Sequence, residues 1–136
     1  MQVNRTFRAD IQNLPLVIDF LESFLQKSGV RSQDSLDLQL AVDEAFTNIA
    51  SYAYGPEGGD VDICIDVFKS EITITITDTG KAFDPLSIDP PDIKMGVDER
   101  QIGGLGIYLI RQVTDDVTYL RRDGKNMLII NKRKGI

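Results

Sequence analysis

The chain of 136 residues has no histidine and no tryptophan, one cysteine and five prolines. Without histidine, His-dependent catalytic triads, zinc-hydrolase sites and phosphohistidine relays within the chain are excluded. Cys64 has no partner for an internal disulfide and reads as a buried small hydrophobe. No apolar run approaches the roughly 20 residues of a membrane-spanning helix. The opening Met1-Gln2-Val3-Asn4-Arg5 leads straight into mixed polarity, so a cytoplasmic protein without membrane attachment is expected. Positive charge is scarce too. Fifteen basic residues against 21 acidic ones leave a net charge of −6, the wrong sign for tracking nucleic-acid phosphates, and no direct nucleic-acid partner is expected. What is present is 42% hydrophobic and 26% charged residues, enough for one compact domain spanning 1–136.

The order of elements follows from periodicity. Val3 to Arg8 alternates weakly, as an edge strand does. Asn13 and Pro15 open a helix in which Leu14, Val17, Ile18, Leu21 and Leu25 recur at three and four, and Ser28-Gly29 stops it. Ser32 is expected to cap a longer helix whose apolar stripe is Leu38, Ala41, Val42, Ala45, Ile49, Tyr52 and Ala53, ending near Tyr54-Gly55-Pro56. Val61–Val67 and Ile72–Thr77 alternate with period two and form a hairpin. From Asp84 to Gly103 periodicity fails, and a connection of that length in a small domain more often serves as a lid than as a spacer. Leu105, Leu109 and Val113 mark a third helix, and a last hairpin turns at Asp123-Gly124. Such an order is not the alternation of a doubly wound sheet. It predicts an α+β fold, a two-layer sandwich with helices on one face of a mostly antiparallel mixed sheet.

Three places carry polar groups that this pattern does not absorb. Glu44 and Asn48 lie four apart on the shoulder of the second helix's apolar stripe; alone, such a pair is usually a solvated helix face. Asp78 shares parity with Ile72, Ile74 and Ile76, which puts a carboxylate on the core side of a strand end. Either the turn Asp78-Thr79-Gly80 satisfies it through the backbone, or it accepts a hydrogen bond from a ligand's amino group while Gly80 allows close approach. Gly103-Gly104-Leu105-Gly106 opens the third helix, where unpaired N–H groups and the helix dipole favour an anion. It is neither a Walker loop nor a dinucleotide fingerprint.

Taken together, these elements resemble the GHKL ATP-binding superfamily, and within it the bacterial anti-sigma-factor serine/threonine kinases. Residues 41–49 (AVDEAFTNI) resemble the family's N box, 78–85 (DTGKAFDP) its first glycine box and 103–110 (GGLGIYLI) its second. The resemblance implies a Bergerat-type sandwich that holds ATP, with a lid over about 84–103. It implies Asp78 on the adenine amino group with Gly80 beside the base, Asn48 as the Mg²⁺ ligand and Glu44 as general base. Gly104, Leu105 and Gly106 would line the phosphates, and Phe83 is the aromatic placed to touch the nucleotide. Two departures stand out. Ile102-Gly103 replaces the arginine that often precedes the second glycine box, leaving Arg100 or Lys81 as candidates for the terminal phosphate, and the threonine near the last strand is replaced around Asn126-Met127. The implied function is a kinase that phosphorylates a small STAS-domain antagonist and binds an effector such as a sigma factor, with homodimerisation along the Val3–Arg8 edge. The alternative is a nucleotide-gated binding module without phosphoryl transfer.

Overall fold

The computed structural model describes residues 1–82, 84 and 104–135, with only the backbone of 104 and 105. The elements are β1 (Gln2–Arg8), a 3-10 turn (Ile11–Asn13), α1 (Leu14–Lys27), α2 (Ser32–Tyr52), β2 (Asp60–Val67), β3 (Glu71–Asp78), α3 (Gly104–Val113), β4 (Asp116–Arg122) and β5 (Lys125–Arg133). Among the described residues, three α-helices and a five-stranded sheet, in the order β1-β2-β3-β5-β4, make the expected α+β fold.

The mixed character anticipated for the sheet is not seen among the described residues: all four pairings are antiparallel. β3 and β4 do run in the same direction, but β5 lies between them and pairs antiparallel with both, so no parallel ladder forms. β1 is an edge strand, as its weak alternation predicts, and β4 is the other edge. At the turn between β4 and β5, Asp123 and Gly124 have φ of 53° and 76°, the left-handed pair that a two-residue hairpin requires.

One helix end departs from expectation. α1 ends as its Ser-Gly pair predicts: Gly29 has φ 75°, and the N–H groups of Gly29 and Val30 return to the carbonyls of Gln26 and Leu25 in a Schellman arrangement. At α2 the cap is Arg31, not Ser32, which is the first helical residue. The side chain that organises this turn is Asp34, 2% exposed, accepting from Arg31 Nε at 3.0 Å and from the Gly135 N–H at 2.8 Å. Burial pushes the Asp34 carboxyl up, but Arg31, the Gly135 N–H and Lys132 outweigh it and leave it below its ordinary value. α2 ends at Tyr52 with Ala53 as its C-cap, directly before Tyr54-Gly55-Pro56 as expected, and the carbonyl of Ala53 accepts from the Lys81 N–H at 2.9 Å.

The core lies between the helices and one face of the sheet. Ile63, Ile65, Ile72, Ile74, Ile76 and Ile130 interdigitate with Val17, Leu21, Leu38, Phe46 and Ile110, all but inaccessible to water. Each buried isoleucine contributes about 1.5–3 kcal/mol. Register keeps them together, pairing Ile63 with Ile76 and Ile65 with Ile74. Cys64 has the opposite parity. It is half-buried on the other face of the sheet beside Gln2 and Asp66, not in the core, and burial together with Asp66 raises its thiol pKa. Among the described residues no helix is long and apolar enough to cross a membrane.

Candidate active site

The strict alternation of β3 buries Ile72, Ile74 and Ile76 and leaves Asp78 at the strand's end on the same side, 5% exposed. Its Oδ1 accepts from the Gly80 N–H and from Asn126 Nδ2, each at 2.9 Å. The backbone turn therefore satisfies one oxygen. Among the described residues Oδ2 accepts no hydrogen bond, although Asp78 lines a cavity. A buried carboxylate oxygen left in this way is an acceptor awaiting a donor.

Gly80 serves the chain itself. A Cβ there would lie 2.2 Å from the Ala53 carbonyl oxygen, so only glycine lets the loop after β3 pack against the end of α2. The Lys81 N–H bond to that same carbonyl fastens the two together. Gly80 is buried and does not line the cavity; Lys81 does.

Asn126 was marked in the sequence only as a replaced position. It faces Asp78 directly across β3 and β5 and is 6% exposed. Its Nδ2 donates to Asp78 and to the Lys81 carbonyl at 2.9 Å, and its Oδ1 accepts from the Tyr119 hydroxyl and from Arg121 Nη1. Arg121 also donates to the Gly80 carbonyl at 2.9 Å. The available signal was parity: Asn126 alternates with Leu128 and Ile130 on the core side of β5.

On α2, Glu44 and Asn48 are half-buried and both line the cavity, beside Thr47, Ser51 and Tyr52. Neither side chain has a hydrogen-bond partner among the described residues. Burial raises the Glu44 pKa, and the adjacent Asp43 adds to the effect. Across from them, α3 opens at Gly104 as the glycine cluster predicts, and a Cβ on Gly106 would stand 3.0 Å from Glu44 Oε2.

The cavity holds about 470 Å³, within the range of small-molecule sites. Ile49, Ile76, Ile107, Ile110 and Leu128 make an apolar wall; Asp78, Asn126 and Tyr119 supply polar groups from the sheet, and Glu44 and Asn48 from α2. Such a wall suits a flat ring bearing an amino group. The first turn of α3 suits an anion, and the oxygens of Glu44 and Asn48 suit a hard cation shared with phosphates. The structure thus brings together Glu44, Asn48, Asp78 and Gly106. Phe83, Arg100, the side chain of Leu105 and the expected lid beyond Asp84 lie outside the described residues.

Residues 7–132 match the family model of the histidine kinase-like ATPase domain. The chain is 30% identical over 128 residues to Serine-protein kinase RsbW of Staphylococcus epidermidis, covering 90% of this chain and 80% of that protein. It is 30% identical over 107 residues to Serine-protein kinase RsbW of Bacillus cereus, covering 76% and 67%. Its fold is similar to a crystal structure of RsbU and RsbW domains from Mycobacterium tuberculosis, with a TM-score of 0.72 at 14% identity; the match spans 98% of this chain and 32% of that one. A cavity between α2, α3 and the sheet, a family match over residues 7–132 and relatives of one kind lead to the same place: the chain belongs to the histidine kinase-like ATPases of the GHKL superfamily, on the branch of the anti-sigma-factor serine/threonine kinases.

Proposed function

We propose that this chain is an ATP- and Mg²⁺-dependent serine/threonine protein kinase that phosphorylates a small STAS-domain antagonist and binds an effector such as a sigma factor. The observation that carries the proposal is Glu44: a half-buried carboxyl with a raised pKa and no hydrogen-bond partner among the described residues, in the same cavity as Asp78. A nucleotide-gated module needs groups for the base and the phosphates but has no use for a proton acceptor.

In this reading Asp78 Oδ2 accepts from the adenine amino group while the apolar wall covers the ring. Asn48 would hold Mg²⁺ through its amide oxygen, and the ion would supply charge neutralisation on the phosphates. Gly104, Leu105 and Gly106 bring the backbone N–H groups of the first turn of α3 to those phosphates. Glu44 takes the proton of the incoming serine or threonine hydroxyl, and partial burial keeps it basic enough to do so. Phe83 beside the nucleotide and a lid over 84–103 belong to the same reading. So does a homodimer formed along β1.

The test is to incubate the protein with labelled ATP, Mg²⁺ and the protein encoded by the neighbouring gene. Label on a hydroxyl of that partner supports the kinase. Nucleotide-dependent binding without label would replace it with the module.

A further inference from the structure

Asn126 uses its whole hydrogen-bonding capacity within one cluster. Its amide nitrogen donates to Asp78 Oδ1 and to the Lys81 carbonyl, both at 2.9 Å, with the Gly80 carbonyl at 3.5 Å. Its oxygen accepts from the Tyr119 hydroxyl and, at 3.1 Å, from Arg121 Nη1. These neighbours permit one orientation of the amide. Arg121 can only donate, while the Lys81 carbonyl and an ionised Asp78 can only accept, so a flipped amide would set oxygen against oxygen and N–H against guanidinium.

The consequence falls on Asp78. Asn126 on β5 and the Gly80 N–H on the loop after β3 both engage Oδ1, so turning the carboxylate breaks both bonds together. Oδ2 is left with no donor among the described residues, and Asp78 lines the cavity. We propose that Asn126 is a positioning residue for base recognition: it holds Asp78 so that Oδ2 meets a purine's exocyclic amino group, and Tyr119 and Arg121 on β4 keep the amide turned the right way. Without Asn126 only the Gly80 N–H still holds Oδ1, and the carboxylate turns more easily toward the Arg121 guanidinium, which already donates to the Gly80 carbonyl. The inference rests on the nucleotide reading above and adds to it a cause for the selectivity.

The readout is the preference for ATP over purine riboside triphosphate, which is ATP without the amino group, measured by calorimetry at fixed Mg²⁺. A protein that merely lost stability would lose both ligands alike. The parent is expected to prefer ATP by about 10–100-fold, the worth of one hydrogen bond to a charged acceptor. Asn126→Ala should reduce that preference to about threefold or less while binding purine riboside triphosphate within about threefold of the parent. Tyr119→Phe keeps the ring and removes one of the two donors to the amide oxygen; it should reduce the preference by about threefold, and it decides the matter if Asn126→Ala does not fold. An unchanged preference in both variants, or an equal loss of both ligands, overturns the role of Asn126 and leaves the site reading intact. A parent that does not distinguish the two nucleotides overturns the site reading and this inference together.

Discussion

Gly106 stands against Glu44 so closely that a methyl group on it would lie 3.0 Å from the carboxylate oxygen Oε2. The first turn of α3 and the acid on α2 are therefore in close contact, and a methyl on Gly106 requires the Glu44 carboxylate to give by a few tenths of an ångström. Gly106→Ala is a test. Alanine favours the helix by about 1 kcal/mol, which offsets part of the crowding, so the melting temperature should change by only a few degrees. Phosphoryl transfer should fall at least about tenfold because Glu44 is moved. Melting curves set beside labelled-phosphate transfer check this; an unmoved transfer rate means that the Glu44 position is not critical.

Glu44 and Asn48 should separate by substitution. Glu44→Ala is expected to leave ATP affinity within a few-fold of the parent and to lower transfer by about 10²–10⁴, the usual contribution of a positioned base. Asn48→Ala should lose Mg²⁺-dependent affinity as well as transfer. Calorimetry with and without Mg²⁺, paired with transfer assays, distinguishes them. Collapse of ATP binding in Glu44→Ala would assign the carboxylate to the metal shell.

The raised Glu44 pKa also has a signature in stability. Burial first, and Asp43 second, lift the folded-state value above that of the unfolded chain, so the folded state holds the proton more tightly. The contribution of Glu44 to stability is thus largest below the unfolded value and is lost as pH rises through the folded one. Glu44→Gln removes that loss. It should raise the melting temperature relative to the parent at pH 7, with the difference shrinking toward pH 4. A gap of constant size across that range would mean that the substitution acts through packing and not through charge.

Asp34 has the opposite sign. Its folded-state value is depressed despite burial, because Arg31, the Gly135 N–H and Lys132 favour the ionised form. It stabilises the fold above the unfolded-state value, and that contribution disappears as pH falls through the folded one. Asp34→Ala should lower the melting temperature at pH 7 by several degrees and speed amide exchange at Gly135, whose N–H loses its acceptor. Parent and variant should converge as the pH falls. Unaltered exchange at Gly135 would show that the carboxylate does not hold the C-terminal segment.

Gly80→Ala tests the joint between the loop after β3 and α2. The added methyl would stand 2.2 Å from the Ala53 carbonyl oxygen, backbone that cannot swing aside as a side chain would. The expected cost is about 1–3 kcal/mol, with weaker nucleotide binding because Asp78 Oδ1 accepts from the Gly80 N–H. Denaturant unfolding and calorimetry measure the two effects. Parent-like stability would mean that the loop relaxes freely.

Much of the fold and part of the site are legible in the sequence. Period-two runs such as Ile72-Thr73-Ile74-Thr75-Ile76 admit one face to the core, so the strand and the burial of Asp78 at its end follow from spacing. The stripe on α2 places Glu44 and Asn48 at its margin for the same reason, and both line the cavity. Residue type alone assigns Cys64 to the core, but its parity with Asp62 and Asp66 puts it on the outer face. Ser32 was misread because a good capping residue says nothing of where the chain before it runs. Arg31 is the cap without a side-chain capping bond, and its guanidinium instead binds Asp34 one turn on.

By itself, the sequence determined which residues are helical or extended, which face of each element is apolar, and which functions its composition excludes, because these depend on local spacing and residue chemistry. Tertiary structure alone decided what meets across elements. β5 inserted between β3 and β4 sets Asn126 opposite Asp78, the end of α2 makes Gly80 obligatory, and α3 brings Gly106 against Glu44. Each of these contacts joins residues 27 to 62 positions apart in the chain. No short-range pattern encodes them; they exist only because the sandwich closes on one core and leaves its polar groups facing the same cavity.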